Sequence, residues 1–412
     1  MNQSDKEIVK DLGKRVKEIA SLPCQSEKRS MWMSLNKKKP DRPMVLIDQV
    51  PWHEMNVDGE LTLQCEDRFC REVEARLRRT LYAWKHMPVD MVVEPYLEFP
   101  KIIKGLDLGM NVEETKLATD SENDVVSHGY IDQLRDEEDL SKIQAPEIFL
   151  DEQTTAEIEE KANDLLGGIL EVRMQGCFPA FAAWDRIAEY RGVESILYDL
   201  VDRPEFIHKI ISRYTDMSLL MLDQLEAKGL LGYGQSLVHC SAVYTDELPA
   251  PGFDPASPRA KDLWTFGMAQ IFATVSPAMH NEFEMDYALK WYERFGLVYY
   301  GCCEPLHNKM DMVRRIPTLR KVSMSPWVDV EKGAEQIGSD YVFVSKPNPA
   351  ILATNTWEPE AVGKDLRSIM ETCARHHCPT EFLLKDISTV GYKPQKLWEW
   401  AEVAMRVVGD NT

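Results

Sequence analysis

The chain has 412 residues, with 68 acidic against 48 basic side chains and a formal net charge of −20. That acidity excludes a general role on nucleic acid or an anionic membrane, where cations must neutralise phosphates, yet it leaves room for a local basic pocket. The N-terminal stretch MNQSDKEIVKDLGKRVKEIA is charged and lacks the apolar core of a signal peptide. No run approaches the roughly 18 apolar residues of a membrane helix, so a cytoplasmic protein is expected. Nine cysteines without regular spacing, and without a CxxC pair, then read as reduced thiols. The segment Cys373, His376, His377 and Cys378 reads as a surface turn more readily than as a metal cluster.

Residues 1–38 read as one or two helices of an N-terminal arm packed on the outside. Met44 to Asp48 is a short apolar strand, followed by the polar-aromatic loop of Pro51, Trp52, His53 and Glu54. Phe69, Val73, Leu77, Leu81 and Trp84 carry the helical period. Met91 to Val93 reads as a second strand, ending in Glu94 and Tyr96. Residues 105–145 are acidic and irregular, with a hairpin expected within 111–120, and read as a cover for a barrel mouth or a solvated loop. A helix at 152–166 leads into a strand from Ile169 to Met174. Trp184-Asp185-Arg186 opens one helix, and Arg203-Pro204-Glu205 opens a long one to about Lys228.

Ser236 to Cys240 reads as the next strand, delivering His239, with Asp246 and Glu247 in the loop behind it. A helical block spans 258–295, broken at Ser276-Pro277, which suits a new helix N-terminus. Strands at 297–300, 319–324, 341–344 and 381–384 alternate with helices to the end of the chain, and Asp329 caps one of them. Strand and helix alternate about eight times, with neither a G-x-G-x-x-G nor a Walker motif. That pattern predicts an α/β protein, a (β/α)8 TIM-like barrel at 41–412 behind a helical arm at 1–40.

The stretch FGLVYYGCCEP, Phe295 to Pro305, draws the most attention. Strand alternation would put Tyr300, Cys302 and Glu304 on one face, with Gly301 and Cys303 on the other. Two thiols and a carboxylate on a rigid strand end suit a metal or reactive-thiol site, whereas two buried small hydrophobes is the bland alternative. Polar residues gather at other strand ends as well, among them Glu94, His239, Lys346 and Lys385. Trp52, Trp184 and Trp327 line an aromatic pocket or fill a core.

These marks resemble the uroporphyrinogen decarboxylase superfamily, and more closely its methyltransferase branch. They are Arg203-Pro204-Glu205, Ser276 to His280, Phe295-Gly296-Leu297 feeding a strand that ends in cysteine, and the Asn348-Pro349 turn. The arginine-rich substrate segment of true decarboxylases is replaced by Asp48-Gln49-Val50-Pro51-Trp52, so an eight-carboxylate tetrapyrrole suits the pocket poorly. The branch's H-x-C-G motif is met only in part: Tyr300 or Gly301 stands at its histidine, and Cys302 or Cys303 at its cysteine. Lys385-Asp386 replaces its later cysteine. The resemblance implies zinc, which would be rebuilt here from His239, Cys302, Cys303 and Glu304, with Glu282 and Glu284 in reserve.

It also implies a corrinoid (cobalamin) carried by a partner protein, a small methylated donor or acceptor (methoxy-aromatic or methylamine-like), and a homodimer. His239, Glu94, Asp246 and Lys346 are the catalytic candidates, and Lys385 and Asn348 the cofactor-binding ones. Zinc would polarise a leaving group or sharpen a thiolate. The alternatives are a metal-free decarboxylase that orients a carboxylated substrate with Lys346, Lys385 and Asp48, and a barrel that binds a ligand without turnover.

Overall fold

The computed structural model describes residues 1–117 and 127–409. Eight parallel strands organise it: β1 Met44–Ile47, β2 Tyr96–Pro100, β3 Glu171–Gln175, β4 Trp264–Gly267, β5 Leu297–Tyr300, β6 Leu319–Met324, β7 Val342–Ser345 and β8 Thr380–Leu384. Six form one sheet in the order β1-β8-β7-β6-β5-β4, while β2 and β3 pair separately. The pair meets the sheet through isolated contacts, such as Phe181 N–H donating to Phe266 O at 2.8 Å. Strand order is that of a (β/α)8 fold, and the hydrogen-bonded ladder stays open on either side of the β2–β3 pair.

The sheet strands are short apolar runs (MVLI, LVYY, VFVS) because helices or inserted chain cover both of their faces. Inner-facing residues, including Leu46, Phe266, Tyr299, Val344 and Leu383, share one cluster. Outer-facing Val298, Tyr300, Val322 and Phe343 pack with the helices, among them the long helix Pro204–Ala227. The expected caps form: Ser276 Oγ accepts from Met279 N–H, and the Asp329 side chain accepts from Lys332 N–H.

The arm is two helices, α1 Gln3–Ala20 and α2 Pro23–Asn36. α1 lies against the helices Arg68–His86 and Glu152–Leu166. α2 goes deeper than an outside arm would, because Trp32 and Leu35 are fully buried among the inner-facing residues.

Four sequence expectations change. Residues 91–93 are not a strand, because their neighbourhood is tied to side chains in place of a ladder. Asp90 accepts from Val45 N–H at 2.8 Å, and Val93 N–H donates to Gln25 at 2.8 Å. β4 lies inside the block read as helical, its four residues WTFG being too short to show a period. Ser236 to Cys240 is not a parallel strand: Leu237–Val238 and Ser241–Ala242 pair antiparallel as a tight hairpin. Its tip residues His239 and Cys240 take φ of 44° and 70°, a strained left-handed conformation for side-chain-bearing residues.

The fourth change concerns the excursion at 105–145, whose described residues pack on helices. Leu134 and Ile143 are buried with Trp184 and Ile210. Its expected hairpin has Glu114–Leu117 paired with Ser127–Tyr130, while 118–120 lie outside the described residues.

The 237–242 hairpin runs along the inner face and is clamped there by a fully buried ion pair. Lys321 Nζ lies 2.8 Å from Glu381 Oε2 and donates to Ser241 Oγ and Ala242 O at 2.8 and 2.7 Å. Ser241 Oγ in turn donates to Glu381 at 2.8 Å. Both charges are 0% exposed, so their mutual attraction and the hairpin's polar groups must offset a large desolvation penalty.

Candidate functional site

β5 ends at Tyr300, and Gly301 follows with φ of 94°, where a side chain would be strained and its Cβ would stand 2.4 Å from Leu306 Cδ1. This left-handed turn breaks the alternation. Tyr300 therefore faces the helices, while Cys302 turns inward beside Tyr299, contrary to the shared face expected of Tyr300 and Cys302.

The turn is pinned from two sides. Glu304, 0% exposed, accepts from Cys302 N–H at 2.6 Å and from Ala269 N–H at 2.8 Å. The Cys302 carbonyl accepts from Ser323 Oγ at 2.7 Å and from Lys346 Nζ at 2.9 Å.

Three side chains then converge. Cys302 Sγ lies 3.1 Å from His239 Nε2 and 3.4 Å from Lys385 Nζ, and those two nitrogens are 3.2 Å apart. Cys303 Sγ is 3.6 Å from Cys302 Sγ. The His239 ring stacks on Phe266, centroids 3.7 Å apart, which fixes its plane. The hairpin places His239, the end of β8 places Lys385, and the end of β7 places Lys346.

Electrostatics sort the protons. Cys302 is held well below the ordinary thiol range by the Cys303 thiol hydrogen bond, helped by His239 and the Lys346 charge, against its burial. Cys303 is pushed well above that range because it keeps the proton the pair shares. Burial lowers His239, so its imidazole is neutral. Burial also works against the charge of Lys385, but the adjacent Cys302 thiolate more than offsets it and raises the pKa. Lys346 is lowered by burial. Nε2 of a neutral His239 either donates to the sulfur or accepts from Lys385, never both, so the triangle holds one mobile proton.

A pocket of about 320 Å³ opens beside this triangle. Cys303, Lys346, Lys385 and the Asp386 carboxylate belong to its polar wall, and Trp327, Pro347 and Pro349 to its apolar one. Trp327 is 69% exposed at its edge.

The residues expected to hold zinc do not form a donor set. Among the described residues no group of three or more His, Cys, Asp or Glu is placed to hold a metal ion. Both oxygens of Glu304 are occupied by backbone N–H groups, as described above. The Lys385 ammonium stands 3.2 Å from His239 Nε2 and 3.4 Å from Cys302 Sγ, so a divalent cation bound by those two atoms would face a like charge. The thiolate's counter-charge comes from lysine.

Other expected site residues lie elsewhere. Glu94 stands before β2 at the N-terminal end of the sheet, bound by Arg29 at 2.7 Å and the Tyr244 hydroxyl at 2.6 Å. Asp246 pairs with Lys37 on the surface at 2.6 Å. Asn348 lines the pocket, but its side-chain oxygen caps Ala350 N–H at 3.0 Å. Asp48 accepts from Gln49 N–H at 2.6 Å. Glu282 faces His208, and Glu284 is buried against the Tyr300 hydroxyl. Trp184 is fully buried, and Trp52 lies edge-on to Tyr82. Cys373 is buried and Cys378 bonds to Ala334 O, as structural cysteines.

Sequence reasoning missed Phe266 and Ser323, which orient the site without reacting. It also missed Asp185, a half-buried carboxyl pushed up to about 7 by desolvation. Phe266 was hidden with β4, and the interior position of Ser323 carries no local signal.

The fold and site define an α/β protein of parallel (β/α)8 strand order, with a lysine-held thiolate at the C-terminal ends of its strands. No protein-family model and no curated protein matches the sequence. Among solved structures the chain is similar to a methyltransferase from Methanosarcina mazei, covering 93% of this chain and 98% of that one. The TM-score is 0.52 at 12% identity, a likeness of fold.

Proposed function

We propose that the chain is a methyltransferase of the uroporphyrinogen decarboxylase superfamily that takes a methyl group from a small methylated donor, the departing atom being protonated by Lys385. The observation that carries this reading is the Cys302–His239–Lys385 triangle, whose Lys385 reaches the wall of a largely apolar pocket. The fold likeness to a methyltransferase supports it.

A methyl group moves to an incoming nucleophile as that nucleophile's lone pair forms the new bond. The old bond's electrons stay on the departing oxygen or nitrogen. An alkoxide or phenoxide leaves poorly unless it receives a proton, and general-acid help of this kind contributes about 10²–10⁴-fold. Lys385 Nζ supplies that proton, and the Cys302 thiolate keeps it charged in a buried place. His239 Nε2 is within reach to return a proton to it as Nδ1 takes one from water, which leaves the imidazole neutral. Trp327 and the prolines give the pocket an apolar wall for the methyl-bearing part of the donor. A corrinoid protein is the partner that the resemblance implies for the methyl group, and it would approach over the exposed Trp327.

Donor dependence tests the reading. Lys385→Met should lose transfer from a methoxy donor and keep transfer from a methyl sulfonium, whose neutral leaving group needs no proton. Equal loss with both donors would contradict proton donation by Lys385. A second reading rests on the two buried ammonium groups at one pocket, which also suit a carboxylate: a metal-free decarboxylase that releases carbon dioxide and transfers no methyl group.

A further inference from the structure

Cys302 and Cys303 stand side by side after β5, with their sulfurs 3.6 Å apart. The two differ in access. Cys302 is 3% exposed and turns toward Tyr299 on the inner face, whereas Cys303 is half-buried and lines the pocket of about 320 Å³. A reagent in that pocket meets Cys303 first, with the Cys302 sulfur behind it. In the proposed transfer no step touches the Cys303 sulfur.

The surroundings favour reaction there. Lys346 and Lys385 share the same wall of the pocket, and nearby ammonium groups stabilise a thiolate on either cysteine. The proton of Cys303 has two acceptors close by, Cys302 Sγ and, at 4.0 Å, Asp386 Oδ2. Both cysteines lie between β5 and the short helix Leu306–Asn308, outside the ladder. No ladder has to break for the sulfurs to close from 3.6 Å to the roughly 2.05 Å of a disulfide. Neighbouring Cα atoms are about 3.8 Å apart, closer than the roughly 4.4–6.8 Å usual in disulfides, so the ring formed is strained. A strained disulfide is readily reduced, which suits a reversible switch and not a structural link.

We propose that Cys303 and Cys302 are a modification site for hydroperoxides, closing to a vicinal disulfide that reduction reopens. With hydrogen peroxide, the Cys303 proton moves to Cys302 as the Cys303 sulfur attacks one oxygen and the O–O bond breaks. The departing hydroxide takes that proton, leaving water, a Cys303 sulfenic acid and a Cys302 thiolate. Cys302 then attacks the Cys303 sulfur and the S–O bond breaks. The leaving hydroxide takes a proton from Lys385, 3.4 Å from Cys302 Sγ, and becomes the second water. The two sulfurs together lose two electrons, which the peroxide gains.

The disulfide carries no charge, so Lys385 loses the thiolate that offsets its burial. Oxidation then silences proton donation, a consequence that rests on the methyl-transfer reading.

The experiment treats the full chain with equimolar hydrogen peroxide, blocks free thiols with iodoacetamide and maps the cysteines by mass spectrometry. Trypsin cuts after Arg294 and Lys309, so one peptide holds Cys302 and Cys303 and no other cysteine. In wild type that peptide should escape alkylation and be lighter by two hydrogens before the other cysteines react, and dithiothreitol should restore it. Cys302→Ser should stop at the sulfenic acid, captured on Cys303 by dimedone. Cys303→Ser should leave the peptide reduced under the same treatment. Transfer from a methoxy donor should fall with the fraction oxidised and return with dithiothreitol. No disulfide in wild type, or oxidation of Cys302 in Cys303→Ser as fast as in wild type, overturns the site whatever becomes of transfer. A disulfide that leaves transfer intact keeps the site and contradicts the need of Lys385 for the thiolate.

Discussion

At the C-terminal ends of the strands, Lys346 and Lys385 are 4% and 3% exposed and share one thiolate, with Asp386 3.4 Å from Lys385 at the rim. At the N-terminal ends, Glu94, Arg173 and Asp262 each have an opposite charge within 2.8 Å. The first arrangement leaves cationic hydrogen-bond donors facing a largely apolar pocket, so a ligand there meets charged donors. The second leaves each charge already matched. On the proposed function, the end with buried charge facing a pocket carries the chemistry, and the end with matched charges does not.

The largest effect that can break this contrast is loss of the acid. Lys385→Met should lower kcat with a methoxy donor by about 10²–10⁴-fold and change a sulfonium donor by no more than a few fold, read by steady-state kinetics. Next is the clamp between the two ends. Lys321→Met leaves Glu381 buried and unpaired, and should lower unfolding stability by about 3–5 kcal/mol in urea titration. Lys321→Met with Glu381→Leu should recover most of that loss, because no charge is then stranded. If the double variant is no better than the single one, the hairpin is held by something other than the ion pair.

A smaller effect sharpens the electrostatics. Cys303→Ala removes the thiol that does most to hold Cys302 ionised, so the Cys302 titration should move to higher pH. The sign follows from linkage. A group whose pKa is depressed on folding contributes stability that is complete above its unfolded value and lost as pH falls through the folded one. Wild type should therefore lose this contribution only in acid, and Cys303→Ala at higher pH, read by thermal unfolding across pH. The smallest effect is Asp246→Asn, which severs an exposed pair and should leave thermal unfolding and transfer indistinguishable from wild type.

Much of the fold was legible in sequence, since the five runs that became β1 and β5–β8 are apolar and bounded by turn residues. β4 escaped because four residues carry too little period, and the 236–240 run looked like a strand until its two halves folded back on each other. His239, Cys302, Cys303, Lys346 and Lys385 were all singled out, and the structure brings these five together. Their roles were harder to read. Glu304 follows two cysteines and looked like a third ligand, but Gly301 rotates the chain so that its carboxylate closes on backbone N–H groups. Glu94 looked like a strand end because residues 91–93 are apolar, whereas the strand begins after it. Local pattern shows which residues are reactive; which end of the sheet they occupy is settled by pairing between distant segments.

The most direct test of the central claim is an ultraviolet titration of thiolate absorbance, wild type minus Cys302→Ser, from acid to alkaline pH. The account predicts that the Cys302 thiolate is already present below neutral pH and that its absorbance stays flat through the ordinary thiol range near about 8.5. A single rise centred on that range would mean that Cys302 is an ordinary thiol, and that Lys385 has no thiolate to keep it charged.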